Sequence, residues 1–180
     1  MKTSVILSSI ILLTLGNKAL FAQDEVFVKE YLERLENSKK YLLLVAEMMP
    51  EEHFGFKPTP ESLSFAEQLM HIGWAMDWHS QSLMGGRKAR DWETDTELKV
   101  DQKNKKEMME TLDKTFATTI EYKQNFDQSR LDETLDYFGS TLTKRQNLLL
   151  LVDHITHHRS QMLVYMRLKG IKPPRYVLYQ

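Results

Sequence analysis

Residues 143–170 read TKRQNLLLLVDHITHHRSQMLVYMRLKG, and both ends of one long helix are spelled out inside that stretch. Thr143 with Gln146 three residues later forms a capping box. The two side chains satisfy backbone N–H groups that the first turn leaves without partners. Gly170, followed by Pro173 and Pro174, stops the helix. Asn147, Leu151, His154, His158, Gln161 and Tyr165 fall on one face, flanked by Leu150 and Met162. The face is the core-facing stripe of an amphipathic helix, so the histidines on it point inward.

A second capping box, Ser64-Phe-Ala-Glu67, opens another helix that runs to Met84 and closes at Gly85-Gly86. Phe65, Leu69, Met70, Ile72, Trp74, Ala75, Met76 and Trp78 make it apolar almost all round, which predicts burial on most sides. A first helix is expected from about Asp24 to Met49, carried by Val28, Tyr31, Leu32, Leu35, Leu42 and Val45. Pro50, Gly55, Pro58 and Pro60 make residues 50–63 a loop, with His53, Phe54 and Phe56 packing back on the helices. Residues 85–101 read as a polar surface connection. A third helix spans about Gln102 to Phe126, with Met108, Met109, Leu112, Phe116 and Ile120 as its stripe. Residues 127–142 form an irregular connection anchored by Leu131, Leu135, Tyr137 and Phe138, with room for a short strand. Four such helices predict an all-α fold, an antiparallel four-helix bundle with at least one longer crossover.

Residues 1–22 have a different character. Lys2 gives a positive start, Val5 to Leu15 is an apolar run, and Asn17 to Ala22 is a short polar exit. That is the pattern of a secretory signal peptide cut after Ala22, leaving residues 23–180 as one mature domain. The run is short against the roughly 20 residues that a membrane span needs. No cysteine follows it, so a lipid anchor has no acceptor. The expected location is periplasmic or secreted. Without Lys2 and Lys18 the balance moves from 24 basic against 25 acidic to 22 against 25, a net charge of −3. A mildly acidic chain without a basic block gives nucleic acid no electrostatic footing. The absence of cysteine excludes disulfides, thiolate nucleophiles and thiolate ligands. Gly-x-Ser-x-Gly, His-Glu-x-x-His and glycine-rich phosphate loops are missing too.

Six histidines remain: His53, His71, His79, His154, His157 and His158. His154 and His158 are one turn apart, about 40° round the helix, and can converge on one ion. Imidazole suits Zn²⁺, Ni²⁺ and related ions, and an open catalytic site takes three protein ligands. A third ligand has to come from another helix: His71 and His79 compete for the position. The alternative is that these histidines are hydrogen-bonded core. The three tryptophans read as packing, with pocket lining by Trp74, Trp78 and Trp92 as the alternative. Glu67 reads as a capping residue rather than as a hydrogen-bond partner for His71.

The stretches Ser64-Phe-Ala-Glu-Gln-Leu-Met-His71 and Asp153 to Pro174, with Pro58 to Ser64 before them, resemble the DinB/YfiT family across essentially the whole mature chain. The resemblance implies an up-down-down-up four-helix bundle. It also implies a divalent-metal site, often Zn²⁺ or Ni²⁺, made by His71, His154 and His158. His157 is an extra histidine beside the motif and a candidate acid or base. The resemblance further implies a metal-dependent hydrolase or a thiol transferase acting on a small molecule, some relatives using bacillithiol or mycothiol. A non-catalytic metal- or ligand-binding bundle is the alternative. Related bundles often dimerise, which makes a homodimer an expectation here.

Overall fold

The structure is a computed structural model that describes residues 2–176, with side chains from residue 23 onward. Its helices are α1 (Lys2–Met48), α2 (Phe65–Asp77), α3 (Lys105–Gln124) and α4 (Lys144–Leu168). A two-stranded antiparallel hairpin, β1 (Thr134–Tyr137) and β2 (Ser140–Thr143), precedes α4. The expected leader, with its cut after Ala22, falls on side chains outside the described residues. Among the described residues no helix is long and apolar enough to cross a membrane.

Hydrogen bonds and ion pairs between helices fix their directions. Asp24 meets Arg145 at 2.5 Å, Arg34 meets Asp153 at 3.7 Å, and the Tyr41 hydroxyl donates to the Pro174 carbonyl at 3.1 Å. The numbers rise together, so α1 and α4 run parallel. Lys39 pairs with Asp113 and Lys105 reaches the Glu47 carbonyl, so α1 and α3 are antiparallel. Gln68 bonds Gln161 and His79 bonds Asn147, so α2 and α4 are antiparallel. Gly73 faces Leu112 and Ser80 meets Thr119, so α2 and α3 are parallel. The bundle is therefore up-down-down-up, as the resemblance implies. The expected longer crossover is the 85–104 connection: it passes Gly73 at Leu98 and delivers Lys105 beside Glu47 and Met49, so α3 starts at the same end as α2.

Leu35, Leu42, Phe65, Leu69, Phe116, Leu148 and Leu151 are completely enclosed between the four helices. Burying each such side chain is worth about 1.5–3 kcal/mol. All three described helix starts after α1 carry reciprocal capping boxes, Ser64–Glu67, Asn104–Glu107 and Thr143–Gln146. The third helix thus begins at Lys105 rather than near Gln102, whose backbone has a φ of 62° that no helix accommodates. The Asn104 side chain accepts from the Glu107 N–H at 3.0 Å, and the Glu107 carboxylate accepts from the Asn104 N–H at 2.9 Å. Asn104→Ala is expected to lower unfolding stability by about 1 kcal/mol, read from a urea midpoint. The fourth helix ends in a Schellman turn: Gly170 has a φ of 73°, and Ile171 N–H donates to the Met166 carbonyl at 2.9 Å.

Two elements depart from expectation. The second helix stays helical to Met84 but widens into a π-helix over Trp78–Met84, where Gly85 N–H reaches back five residues to Ser80. The expected short strand is a hairpin whose tip is Phe138-Gly139. Phe138, read as an anchor, is 80% exposed because both tip residues have positive φ, the turn that matches strand twist.

Candidate metal centre

Helix α2 contributes one imidazole and α4 contributes two. His71, His154 and His158 each offer a ring nitrogen, and the three nitrogens lie within 4.8 Å of one another. The ring centroids of His154 and His158 are 4.4 Å apart, and His71 stands 5.1 Å and 4.5 Å from them. The antiparallel contact of α2 with α4 brings position 71 opposite the 154/158 pair. His79, the competing third ligand, lies one ring further along. It is buried, its Nδ1 bonds Asn147 Oδ1 at 2.7 Å, and Asn147 Nδ2 donates to the His79 carbonyl at 3.2 Å. His79 therefore ties α2 to α4 and keeps a ring distance of 6.4 Å from His154.

Hydrogen bonds orient the site from behind. The His158 Nδ1 meets Gln68 Oε1 at 2.5 Å. An amide oxygen accepts only, so Nδ1 carries the proton and Nε2 keeps its lone pair. Gln68 Nε2 donates to Gln161 Oε1 at 2.7 Å and to the Tyr165 hydroxyl at 3.3 Å. Tyr165 in turn donates to the Leu63 carbonyl at 3.0 Å, and Gln161 Nε2 donates to His157 Nε2 at 3.0 Å. Every member of this chain has a partner. His157 is exposed, with its ring 5.0 Å from that of His158. Glu67 is committed to the cap and to Lys57 at 2.9 Å, and does not serve His71.

The electrostatics favour neutral rings. Burial lowers the His71 pKa below its ordinary value. Burial, then the neighbouring charges of His71, His79 and His157, pushes His154 down to about 4. Burial and the same kind of crowding push His158 down to about 3. Neutral imidazole is the ligand form. The residues also fit an ion by hydrogen-bond accounting: His154 Nε2 is buried without any partner. Such an orphan is costly unless something fills its lone pair. Ligand nitrogens around a tetrahedral ion with bonds of about 2.0–2.1 Å stand roughly 3.4 Å apart.

Aromatic rings frame this site on the α2 side. Trp74 and Trp92 pack perpendicular at 4.5 Å, and Trp92 stands edge-on to His71 at 6.3 Å. Trp78 packs against Tyr137 and Phe138 of the hairpin at 5.5 Å and 5.2 Å. Sequence reasoning missed Gln68 as the partner of His158. The available signal was a fully buried amide, one turn before His71 on an otherwise apolar helix, which needs a partner.

The profile of the DinB family matches residues 19–179. The uncharacterized protein YjoA of Bacillus subtilis strain 168 is 27% identical over 134 residues, which is 70% of this chain and 80% of YjoA. The crystal structure of a DinB-like protein from Bacillus cereus ATCC 10987 superposes with a TM-score of 0.65 at 22% identity, covering 85% of this chain and 97% of that one. The crystal structure of YjoA gives a TM-score of 0.61 at 18% identity, covering 86% and 98%. A conserved protein from Enterococcus faecalis gives 0.61 at 18% identity, covering 77% and 94%. These likenesses show the fold.

Proposed function

Because the chain belongs to the DinB family, we propose that it binds a divalent transition-metal ion through His71, His154 and His158 and acts on a small molecule there. The observation that carries the reading is the buried, partnerless Nε2 of His154, set among two other imidazoles that the site keeps neutral. An all-imidazole set suits Zn²⁺ or Ni²⁺. Such an ion, held by three protein ligands with a position left open, supplies Lewis acidity to an oxygen or sulfur ligand.

The rest of the chemistry belongs to side chains. Gln68 holds the His158 tautomer, and Tyr165 and Gln161 hold Gln68. His157, on the exposed side of the same cluster, is the group available to take or give a proton. In this reading residues 1–22 are a secretory leader, and the mature protein works outside the cytoplasm. Low-molecular-weight thiols of the bacillithiol kind belong to the reducing interior, so hydrolysis is favoured over thiol transfer. Mass spectrometry of protein recovered from the exported fraction tests this: a chain beginning at Gln23 is expected, and an intact Met1 start there counts against the leader.

The metal reading is tested through the hydrogen-bonded support. Gln68→Ala leaves all three imidazoles in place and removes the acceptor that fixes His158. It is expected to weaken Zn²⁺ binding by about 10–100-fold in a chelator competition. An unchanged affinity would mean that His158 is not held for coordination.

A further inference from the structure

We propose that the substrate of this centre carries a flat aromatic ring, gripped by Trp92 in the cavity beside His71. The proposal rests on the metal reading above and names the class of molecule that reading leaves open.

A cavity of about 260 Å³ runs up to His71, walled by Leu63, Met70, Trp92 and Val100, with Lys99 and Asp101 also lining it. At about 30 Å³ per liquid water, the space equals roughly nine waters, enough for one ring and a short polar group. Glu67 also borders the cavity, but Lys57 and the Ser64 N–H already compensate its charge. The walls therefore offer mainly apolar surface beside His71, a candidate ligand, the usual composition of a small-molecule site.

Trp92 does not behave as a core residue. It sits 51% exposed on the connection between α2 and α3. Charge holds its position. Arg90 reaches Asp77 at 3.2 Å, Asp95 at 2.7 Å and Glu97 at 2.9 Å, which closes the loop on both sides of position 92. Asp91 accepts from the Glu93 and Thr94 N–H groups at 2.8 Å and 3.2 Å. Lys99 donates to the Glu93 carbonyl at 3.1 Å, with its ammonium 5.6 Å from the Trp92 ring centre. Leu98, 2% exposed, anchors the loop by packing against α2 at Gly73. The result is a large ring fixed at the mouth of a concave site, edge-on to His71 and backed perpendicularly by Trp74. Fixing the ring in advance removes the ordering cost that a ligand would otherwise meet. Stacked or edge-on contact with an aromatic ligand then adds to simple burial.

The test uses the full mature chain loaded with Zn²⁺ and two carboxylates that differ by a ring. Benzoate and acetate present the same head group, so titration calorimetry isolates the ring. Benzoate is expected to bind about tenfold tighter than acetate. Trp92→Ala should erase that ratio while acetate affinity and Zn²⁺ content stay as in the parent, and Trp92→Phe should keep most of it. Equal affinities in the parent, or a benzoate preference that survives Trp92→Ala, overturns the proposal while leaving the metal site standing. A parent that takes up no Zn²⁺ sinks the metal reading and this proposal with it.

Discussion

Replacing both His154 and His158 by alanine is expected to lower divalent-metal affinity by at least about four orders of magnitude, from one bound equivalent to none in elemental analysis. Structural Zn²⁺ sites with four ligands are worth about 10–16 kcal/mol, or roughly 3 kcal/mol per ligand, and each 1.4 kcal/mol is a factor of ten. Two lost ligands out of three leave only His71. His79→Ala is the control that separates ligand from neighbour. Its Nδ1 is taken by Asn147, so the variant should keep its metal and lose folding stability instead. One equivalent of metal in the double variant would falsify the ligand assignment. Metal loss in the His79 variant alone would shift the site toward the π-helical end of α2.

The sequence announced the helix ends at Ser64, Thr143 and Gly170. The Asn104–Glu107 box escaped because the surrounding residues are polar on both sides, and nothing apolar marks the first turn. The π-helix over Trp78–Met84 left no period to read, since one extra residue in a turn does not change the apolar pattern that marks a helix. In the candidate site, the spacing of His154 and His158 pointed to a shared face. The choice of His71 over His79 needed the pairing of α2 with α4, which the family resemblance supplied and spacing did not. Gln68 was hidden, and pocket lining by Trp92 was only the alternative to packing, for different reasons. An amide reveals its partner only across an interface, and a loop tryptophan reveals its place only when the loop is fixed by ions such as Arg90.

Lys123→Met is expected to stabilise the metal-free protein by about 3 kcal/mol at pH 7, and to lose that gain as the pH approaches 10.5. Lys123 is 2% exposed, and among the described residues no carboxylate offsets its charge. Its contacts are the Met84 sulfur at 2.6 Å, a weak acceptor, and the Tyr122 ring at 4.8 Å. Burial, with the Lys144 charge nearby, pushes its pKa down to about 7. In the unfolded chain the value is about 10.4, so between those two values the unfolded state binds one more proton than the folded state. Stability therefore rises with pH through this window, and below pH 7 the lysine's cost is complete. The gap of about 3.4 units at 1.36 kcal/mol each sets an upper bound near 4.6 kcal/mol, which relaxation and water penetration reduce. Methionine keeps the unbranched stem and similar volume, so the packing beside Met84 stays filled. Urea unfolding of parent and variant at pH 7, 8.5 and 10 gives the answer directly. A gain that shrinks across that series identifies an uncompensated buried amine. A loss at pH 7, or a gain of the same size at every pH, would show that Lys123 is held charged by partners inside the bundle.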